Sequence, residues 1–392
     1  KHWRTHKMSQ TKVEAPFVEG VGGGFKNVII NGDMQIFQRA TSATTIPSSG
    51  YSTVDRFGFS EGSGGAATSE LDNLSVADQA TTGQTRALEL NCTSADTSIA
   101  AGDRSYIFYN IEAQDCRRFL YGTSAAKTLT LSFWVKSNLT GNFPLTVKKD
   151  DNTVYYLPLS YSISSANTWE KKTITWTPTE GSTSLITASG GAINNDNGRG
   201  FQIFWGLMWG SNYTGSQSGT PTWTSSAYFA DSDITFVNFY SSTSNNLYIT
   251  GVQLEVGDAA SDFEHLPFDI QLNRCFRYYI DFANTGANIV NPGTGIYLCN
   301  SWYYTAANVV GTLHYPVPMR EEATLTTADS SNAFYVFHNN SADGLNSMSA
   351  NAQSTRLACV IQNDSDASGT IGHAGGIYLN SPNAFNVSAE IG

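Results

Sequence analysis

The sequence predicts an all-β protein, and three observations lead to this prediction. Short runs rich in Val, Ile, Tyr and Phe recur along the 392 residues, with Gly, Ser, Thr and Asn crowded into the turns between them. Hydrophobic residues make up 40% of the chain and charged residues only 14%, which suits a β protein with uncharged polar surfaces. Successive strands joined by such turns indicate a sandwich or barrel rather than alternating strands and helices.

Charge and cysteine content exclude several classes of partner and site. The formal net charge of −11 argues against nucleic acid, because affinity for phosphates depends on Lys and Arg. No run approaches the length of a membrane-spanning helix and no secretion signal opens the sequence, so we expect a soluble protein without membrane insertion. Five widely spaced cysteines without a CxxC pair favour buried free thiols in a reducing cytoplasm over disulfides or a zinc site. They are Cys92, Cys116, Cys275, Cys299 and Cys359.

The first two thirds of the chain are predicted to form successive short strands. Residues 27–36 are expected to be the first strand, with Val28 and Ile30 on one face. The clearest alternation follows in residues 128–136, where Trp134 lies among small polar residues on the face opposite the core. The core-facing residues of that strand are Leu129, Leu131, Phe133 and Val135. The other predicted strands are residues 51–59, 88–92, 106–111, 145–148, 154–157, 172–177 and 201–209.

The strand at residues 201–209 differs from the others because both of its faces become apolar after Ile203. We therefore expect one face to be buried in the core and the other to be covered by a loop or a subunit. Residues 211–226 follow, a long polar stretch with scattered aromatic residues that indicates a surface loop.

A join between two units is predicted near residue 268. Residues 247–256 form a nearly alternating strand with one slip at Thr250–Gly251, where a β-bulge would keep one face on the core. After a turn at Pro267, apolar residues recur at the spacing of a short amphipathic helix, although residues 276–282 could instead begin a strand. The helix residues are Leu272, Cys275, Phe276 and Tyr279.

The two ends of the chain differ in pattern. Residues 1–26 contain no periodic core pattern and end in a glycine-rich hinge, so we expect an extended arm that docks on another chain. The last third again consists of short strands, which would close a second, smaller β-sandwich. These strands are predicted at residues 295–299, 309–315, 323–327, 333–338, 356–362, 376–379 and 387–391.

Two groups of residues carry a resemblance to a known family. The first is INGDMQIFQR at residues 30–39 with YSTVDRF at 51–57. The second is ITGVQLEVG at 249–257, followed by FEHLP at 263–267 and CFRYY at 275–279. Together they resemble bacteriophage virion proteins, especially fibre and adhesin subunits of marine phages, whose central domain is similar to carbohydrate-binding jelly-roll modules. The resemblance covers roughly residues 27–280 and, more loosely, the remainder.

Combined with the strand pattern, the resemblance implies three regions. Residues 1–26 would be a virion-anchoring arm, residues 27–268 a jelly-roll β-sandwich like a carbohydrate-binding module, and residues 269–392 a C-terminal β-sandwich. The implied protein is a non-enzymatic fibre or adhesin subunit of a virion that is assembled in the host bacterial cytoplasm. It would form a homotrimer, contact other virion proteins through residues 1–26 and bind a host-surface glycan. The alternatives are a capsid decoration protein without receptor activity and a glycan depolymerase.

The resemblance also implies a structural calcium ion near the first and last strands of the jelly roll. Asn31, Asp33, and Glu255 or Asp258 would fall there, and hard oxygen ligands suit that ion. The alternative is that Asp33 caps a turn and Glu255 is solvated.

Aromatic residues provide the best-supported functional chemistry in the sequence. A Trp or Tyr ring can stack on the C–H face of a sugar while nearby amides bond its hydroxyl groups, so Tyr213, Trp223, Trp134 and Asn212 are the predicted glycan contacts. Trp205 and Trp209 are assigned to packing instead. A second aromatic group, Trp302, Tyr303 and Tyr304 after Asn300, would be either another contact surface or a buried corner.

Enzymatic motifs are weak. A glycosidase needs two carboxylates at a defined separation, and the acids near residues 255–264 are ordinary surface chemistry in a chain with 33 acidic residues. No nucleophile elbow, dinucleotide fingerprint or P-loop is present. Asp55 and Arg56 are predicted to form a structural ion pair rather than a catalytic one.

Overall fold

The computed structural model describes residues 25–283, 295–327, 329–380 and 385–392. Antiparallel strands dominate these ranges, which confirms the all-β prediction. The predicted arm lies outside them up to residue 24. None of the helices in the described ranges combines the length and hydropathy that crossing a membrane requires.

The N-terminal part is a sandwich of two six-stranded sheets. Its strands are β1 (Thr44–Thr45), β2 (Gly50–Tyr51), β3 (Phe57–Gly62), β4 (Ala66–Asn73), β5 (Arg86–Ser94), β6 (Arg104–Glu112), β7 (Leu129–Ser137), β8 (Gly141–Lys149), β9 (Tyr155–Ile163), β10 (Glu170–Trp176), β11 (Arg199–Trp209), β12 (Thr214–Gly215), β13 (Ala230–Asp231) and β14 (Asn246–Val256). Sheet A has the order β1-β4-β5-β14-β7-β10 and sheet B the order β2-β3-β6-β11-β8-β9, while β12 and β13 form a separate two-stranded sheet. The chain crosses repeatedly between the sheets, as in a jelly roll.

Short helical segments connect some of these strands. Helix α1 (Val76–Thr82) lies between β4 and β5, and Ser75 caps it by accepting a hydrogen bond from the Asp78 N–H. The short 3₁₀ segments are Ala113–Phe119, Glu180–Ser182, Ser189–Gly191, Ser211–Tyr213 and Phe239–Ser241.

Strand β7 shows how the sequence pattern produces the core. All of its predicted core-facing side chains are fully buried, because they point from sheet A toward sheet B. They are Leu129, Leu131, Phe133 and Val135. From sheet B, Ile203 and Trp205 of β11 point into the same core, and the Phe133 and Trp205 rings meet edge to face with centroids 5.8 Å apart. The opposite face of β11 presents Phe204, which loop residue Phe229 covers at 5.5 Å, as expected for a strand apolar on both faces.

Residues 27–36 do not form the predicted first strand. The backbone turns at Asn31 and Met34, whose φ angles are 62° and 58°. The segment still lies against β14, because Val28 N–H donates to Leu254 O (3.0 Å) and Val252 N–H donates to Gly32 O (2.8 Å). Its apolar alternation therefore reflects burial beside a strand and not membership of a sheet.

The join follows the predicted order of elements. Strand β14 changes register between Thr250 and Gln253, which confirms the predicted bulge. Helix α2 (Phe268–Phe276) begins directly after Pro267, and β15 (Tyr279–Asp281) follows it. The helix and the strand that were predicted as alternatives for residues 272–282 are therefore both present, one after the other.

The C-terminal part is a smaller sandwich of a seven-stranded and a three-stranded sheet. Its further strands are β16 (Ile296–Thr305), β17 (Asn308–His314), β18 (Thr324–Thr327), β19 (Phe334–His338), β20 (Ser341–Leu345), β21 (Ser349–Ala350), β22 (Ala358–Asn363), β23 (Ala374–Leu379) and β24 (Phe385–Ser388). The larger sheet, here the C-terminal sheet, has the order β20-β19-β23-β16-β17-β22-β21, and the smaller has the order β15-β24-β18. All five cysteines of the protein are buried free thiols, as predicted.

The two parts are in direct contact. Ile30 and Ile36 pack with Cys275, Tyr278 and Ile391 in one buried cluster. The end of the chain therefore returns to the N-terminal sandwich. The domain limits at residues 26 and 268 remain predictions.

Candidate functional site

A row of aromatic rings lies on the outer face of sheet B. Tyr106 of β6 stacks on Trp209 of β11 with centroids 5.0 Å apart, and its edge contacts Phe204 at 4.7 Å. From the loop after β11, Phe229 reaches Trp209 at 4.8 Å and stacks on Tyr213 at 5.4 Å. We call these five residues the aromatic row.

Local backbone geometry positions Trp209. Strand β11 shifts register against β6 between Gly206 and Met208, and this shift returns the Trp209 side chain to the outer face. The indole then lies over Gly206, where a Cβ atom would come within 2.3 Å of Trp209 Nε1. Nε1 itself is buried and has no acceptor among the described residues. The partly exposed surface of this indole is therefore formed by carbon atoms.

A cleft of about 280 Å³ opens beside Trp209. Apolar residues such as Ile99 form part of its wall, and polar side chains form the rest. The polar residues that line it are Ser211, Thr214, Asp231 and Ser232. The lining thus combines two aromatic side chains, Trp209 and Phe236, with three hydroxyl groups and one carboxylate.

Asp231 is held in place by the backbone around it. It is only 6% exposed, and its Oδ1 atom accepts the N–H groups of Gln217 (3.1 Å) and Asp233 (3.0 Å). Strand β13, which contains Asp231, pairs in parallel with β12, so Thr214 and Asp231 lie on neighbouring short strands. This pairing gives the cleft a fixed polar side.

Two of the predicted glycan contacts lie next to the cleft. Asn212 and Tyr213 belong to the same short turn as Ser211, and Asn212 is exposed while its N–H donates to Ala101 O (2.9 Å). Tyr213 is half-buried in the aromatic row, and its hydroxyl accepts a hydrogen bond from Arg104 Nη1 (3.2 Å). The structure therefore brings these two residues together with Trp209, which the sequence analysis had assigned to packing.

Trp223 is not a surface residue, which corrects its prediction as a glycan contact. It is 1% exposed, its Nε1–H donates to Thr177 O (3.0 Å), and its ring meets Tyr121 edge-on at 6.3 Å. The cause is the neighbouring backbone, since Thr224 and Tyr156 exchange two hydrogen bonds of 2.9 and 2.8 Å. This bridge draws the loop onto β9 and turns Trp223 into the core.

Trp134 lies on the other side of the sandwich. It is half-buried on the outer face of sheet A, beside Gly251 and Gln84, whereas the aromatic row lies on the outer face of sheet B. Trp134 and Tyr213 therefore cannot contribute to one site.

The predicted calcium ligands Asp33, Glu255 and Asp258 do not form a three-carboxylate cluster in the described residues, and a calcium ion held with the help of Asn31 or backbone oxygens stays a prediction. Both carboxylate oxygens of buried Asp33 accept hydrogen bonds from Gln271 Nε2 (3.0 and 2.9 Å). Glu255 accepts from Ser261 N–H and Oγ (2.9 and 2.7 Å), and Asp258 is exposed. In the part of the chain that the structure describes, no group of three or more His, Cys, Asp or Glu side chains could hold a metal ion.

Comparisons with known proteins identify similar structures but no family. No protein-family model and no curated protein matches the chain. A protein from Bacteroides thetaiotaomicron with a proposed sugar-binding role is similar over 59% of this chain and 100% of its own, with 12% identity and a TM-score of 0.31. The enzymatically active domain of tailspike protein 4 from bacteriophage CBA120 matches over 59% of this chain and 22% of its own, with 10% identity and a TM-score of 0.28. A family 11 carbohydrate-binding module from Clostridium thermocellum covers 57% and 99%, with 11% identity and a TM-score of 0.28.

Residues of the motifs that carry the family resemblance connect the N-terminal and C-terminal parts of the protein. We call this set of contacts the structural joint. Arg39 pairs with Asp55 (3.1 Å) and Glu390 (3.0 Å), and its guanidinium lies 3.7 Å from the Tyr279 ring centroid. Gln38 Nε2 also donates to Tyr279 O (2.8 Å). These contacts connect the INGDMQIFQR and YSTVDRF motifs to the C-terminal part.

Arg56 completes the joint, and its partner differs from the predicted one. It pairs with Glu390, donates from Nη2 to Asn110 O (2.7 Å) and lies 3.5 Å from the Tyr278 ring centroid. The predicted Asp55–Arg56 ion pair is therefore wrong, because the two adjacent side chains bind different partners. Burial raises the pKa of Asp55, and the Arg39 guanidinium opposes that rise.

Proposed function

We propose that this protein is a non-enzymatic carbohydrate-binding protein whose binding site is the cleft beside Trp209. One observation carries the proposal. The indole of Trp209, whose exposed surface consists of carbon atoms, lines a single cleft together with three hydroxyl groups and the fixed carboxylate of Asp231. Binding sites for small ligands combine apolar and aromatic walls with a few placed polar groups, and sugars present the complementary mixture of C–H faces and hydroxyls.

Each group in the cleft has a defined role in this proposal. The C–H face of a sugar ring packs on the exposed part of the Trp209 indole, whose position is fixed by contacts with Phe229 and Tyr106. Asp231 accepts hydrogen bonds from sugar hydroxyls, and bonds to a charged acceptor are stronger than neutral ones. The volume of about 280 Å³ is near the lower limit for ligand sites, which suits a short glycan segment.

The composition of the cleft favours binding over hydrolysis. Among the described residues that line it, Asp231 alone carries a carboxylate, whereas glycosidases use two carboxylates across the scissile bond. Glu255, one of the acids near residues 255–264, is 7% exposed and accepts a hydrogen bond from the Ser261 N–H. The proposed function is therefore binding without catalysis.

We place this binding activity in a virion, as a fibre or adhesin subunit that attaches to a host-surface glycan. The support is the resemblance of residues 30–39, 51–57 and 249–279 to phage fibre and adhesin proteins. The proposed subunit is homotrimeric and is joined to other virion proteins through residues 1–26. Several copies would add the weak affinities of single clefts into firm attachment.

The test compares glycan binding by wild type, Trp209→Ala and Trp134→Ala on immobilised neutral and acidic polysaccharides. Trp209→Ala should weaken binding by about 1–3 kcal/mol if stacking on a sugar resembles stacking on a base. Trp134→Ala is the matched control, because it removes an indole that is likewise partly buried but lies on the opposite sheet. Equal binding by all three proteins would refute the cleft, and release of oligosaccharides would refute the non-enzymatic assignment.

A further inference from the structure

The outer face of the C-terminal sheet exposes aromatic side chains. Along β16, Cys299, Ser301 and Tyr303 are buried and the residues between them are exposed. Strand pairing sets Tyr297 beside Tyr378, and Asn300 lies in register with Gly376, which faces Phe337. Tyr297, Trp302 and Phe337 are 49%, 44% and 49% exposed, fractions that contrast with the buried rings of the same strands.

This face carries no Lys, Arg, Asp or Glu among the described residues that point outward from its strands β16, β17, β19, β22 and β23. A solvent-facing sheet surface normally contains charged residues that keep it soluble and unpaired. Loss of charge together with enrichment in aromatic residues is characteristic of binding surfaces. The face therefore has the composition of a contact surface.

The rings on this face support one another. Tyr378 contacts Tyr297 and Phe337 edge to face, with centroids 5.3 and 5.0 Å apart. The Tyr297 hydroxyl donates to Asn300 Oδ1 (2.8 Å), so Asn300 meets a ligand through the N–H groups of its amide. The surface is therefore ordered before any ligand arrives.

A groove of about 380 Å³ crosses this face. Its lining combines two exposed aromatic rings with an amide, a hydroxyl and an imidazole, and its volume falls in the range of small-ligand sites. The lining residues that matter here are Tyr297, Asn300, Trp302, Thr312 and His314.

We propose that this groove is a second carbohydrate site, specific for uncharged sugars. The rings of Trp302 and Tyr297 provide stacking surfaces, and Asn300 and Thr312 provide hydrogen bonds to hydroxyl groups. No carboxylate, guanidinium or ammonium group is among the described lining residues to pair with a charged sugar. The chain's net charge of −11 further disfavours an acidic glycan. This site does not depend on the cleft beside Trp209, because it is built on a different sheet.

The experiment measures binding to immobilised neutral polysaccharides (mannan, galactan and β-glucan) and to acidic alginate, in the wild-type and Trp209→Ala backgrounds. Trp302→Ala should weaken binding to at least one neutral polysaccharide tenfold or more in both backgrounds. Tyr304→Ala is the matched control, because Tyr304 is 69% exposed on the same strand but does not line the groove. Asn300→Asp keeps the shape of the side chain and the acceptor for Tyr297 while removing the N–H donors, so it should show a similar loss.

The possible outcomes separate this proposal from the first one. A loss in Trp302→Ala that persists in the Trp209→Ala background supports the second site even if the cleft binds nothing. Unchanged binding of all neutral polysaccharides by Trp302→Ala and Asn300→Asp overturns it. A preference for alginate overturns the assignment to uncharged sugars. A change in native mass of Trp302→Ala without any change in glycan binding overturns it in favour of contact with a second copy of the chain.

Discussion

Trp209 and Gly206 form a matched pair at the proposed cleft. The indole occupies the space that a side chain at residue 206 would need, and Pro144 closes the same space from β8. A Cβ on residue 206 would lie 2.3 Å from Trp209 Nε1 and 2.6 Å from Pro144 Cγ, both well inside contact distance. The exposed surface of the aromatic row therefore depends on the absence of one methyl group.

Gly206→Ala should displace the indole. We expect it to lower the free energy of unfolding by about 1–3 kcal/mol, as overpacking does, and to weaken glycan binding as much as Trp209→Ala does. Urea denaturation and polysaccharide binding measure the two effects. Gly102→Ala is the control, since a Cβ there meets nothing within 4 Å. Binding at wild-type strength by Gly206→Ala would mean that the indole position is irrelevant to the ligand.

Asp33 provides a test of the structural alternative to calcium. Burial raises its pKa above the ordinary value of 3.8, although the hydrogen bonds from Gln271 oppose the rise. Between the ordinary pKa, which applies to the unfolded chain, and the raised pKa of the folded protein, the folded protein binds a proton that the unfolded chain has lost. The contribution of Asp33 to stability is therefore present at low pH and is lost as the pH rises through the folded-state pKa.

Asp33→Asn should remove this pH dependence while keeping an acceptor for Gln271. We expect the free energy of unfolding of wild type, measured relative to Asp33→Asn, to fall as the pH rises from about 4 to 7. Urea denaturation at several pH values provides the measurement. If the free energy of unfolding of wild type instead increased relative to that of Asp33→Asn as the pH rises, the carboxylate would be stabilised as an anion, for instance by a cation.

Of the predicted glycan contacts, two lie next to the cleft and a third, Trp223, is buried in the core. Asn212 and Tyr213 could be predicted because a polar loop with an aromatic residue follows an apolar strand. The burial of Trp223 results from the backbone bridge between Thr224 and Tyr156, residues 68 positions apart, and no local pattern encodes it. Trp209 was not predicted as a cleft residue, because the register shift in β11 that moves it to the outer face leaves no signal in a sequence where nearly every residue is apolar.

At the scale of elements, the segment at residues 27–36 and strand β14 depend on each other. Asn31 closes the turn with its own side chain, accepting the Ile36 N–H (2.8 Å) and donating to Asp55 O (3.0 Å). Gly32 then lies directly against β14, where a Cβ would come within 2.0 Å of Val252 O. The turn replaces the predicted strand because these side-chain bonds satisfy the backbone locally.

Gly32→Ala should be more damaging than Gly206→Ala. The clashing atom is a backbone carbonyl of a central strand, which cannot swing aside as a side chain can. We expect a loss of about 3 kcal/mol or more in the free energy of unfolding, measured by urea denaturation against Gly102→Ala. A loss below that of Gly206→Ala would show that the segment is not tightly docked on β14.

Elements with strong alternation were predicted well for a physical reason. In strand β7 the core-facing positions are apolar and the residues of the other face are polar apart from Trp134, so each core position is marked by an apolar residue. The bulge in β14 was visible because it interrupts such a pattern at Thr250 and Gly251. Residues 27–36 also carry regularly spaced apolar residues, but this pattern reports burial and does not distinguish a strand from a docked turn.

At the scale of the whole molecule, a buried charge network connects the two parts. Glu390 lies near the end of the chain, and the two arginines that it pairs with come from the first 60 residues. The side chains of Glu390, Arg56 and Arg39 are 7%, 1% and 10% exposed. The ion pair of Arg56 therefore depends on the C-terminal segment, whereas Arg39 also pairs with Asp55 of the N-terminal part.

Glu390→Gln should expose the dependence of the fold on this network. Removing one partner of a buried ion pair leaves uncompensated charge, so we expect a loss of about 3–5 kcal/mol in the free energy of unfolding. Asp78→Asn is the control at the partly exposed Lys136–Asp78 pair, where a change below about 1 kcal/mol is expected. Similar small effects for both variants in urea denaturation would argue against a tight joint.

The joint itself could not be predicted from sequence, although its residues were noticed. Arg39, Asp55, Arg56, Tyr278 and Tyr279 all lie in the motifs that carry the family resemblance. Their shared role depends on pairing across more than 200 positions of the chain, which no local spacing reveals. Fold class, by contrast, follows from composition and strand rhythm, and these are properties of the whole sequence.

The central claim, that the cleft beside Trp209 binds a glycan, is tested most directly by ¹⁹F NMR of the protein labelled with 5-fluorotryptophan. The eight tryptophans include buried Trp223, Trp134 on sheet A and Trp302 on the C-terminal sheet, so one titration reports on every candidate surface. Resonances are assigned with single Trp→Phe variants, and the ligand is the oligosaccharide form of whichever polysaccharide binds most strongly. The account predicts that the Trp209 resonance shifts with saturation while those of Trp134 and Trp223 stay fixed. A saturable shift at Trp134 with Trp209 unchanged would contradict it.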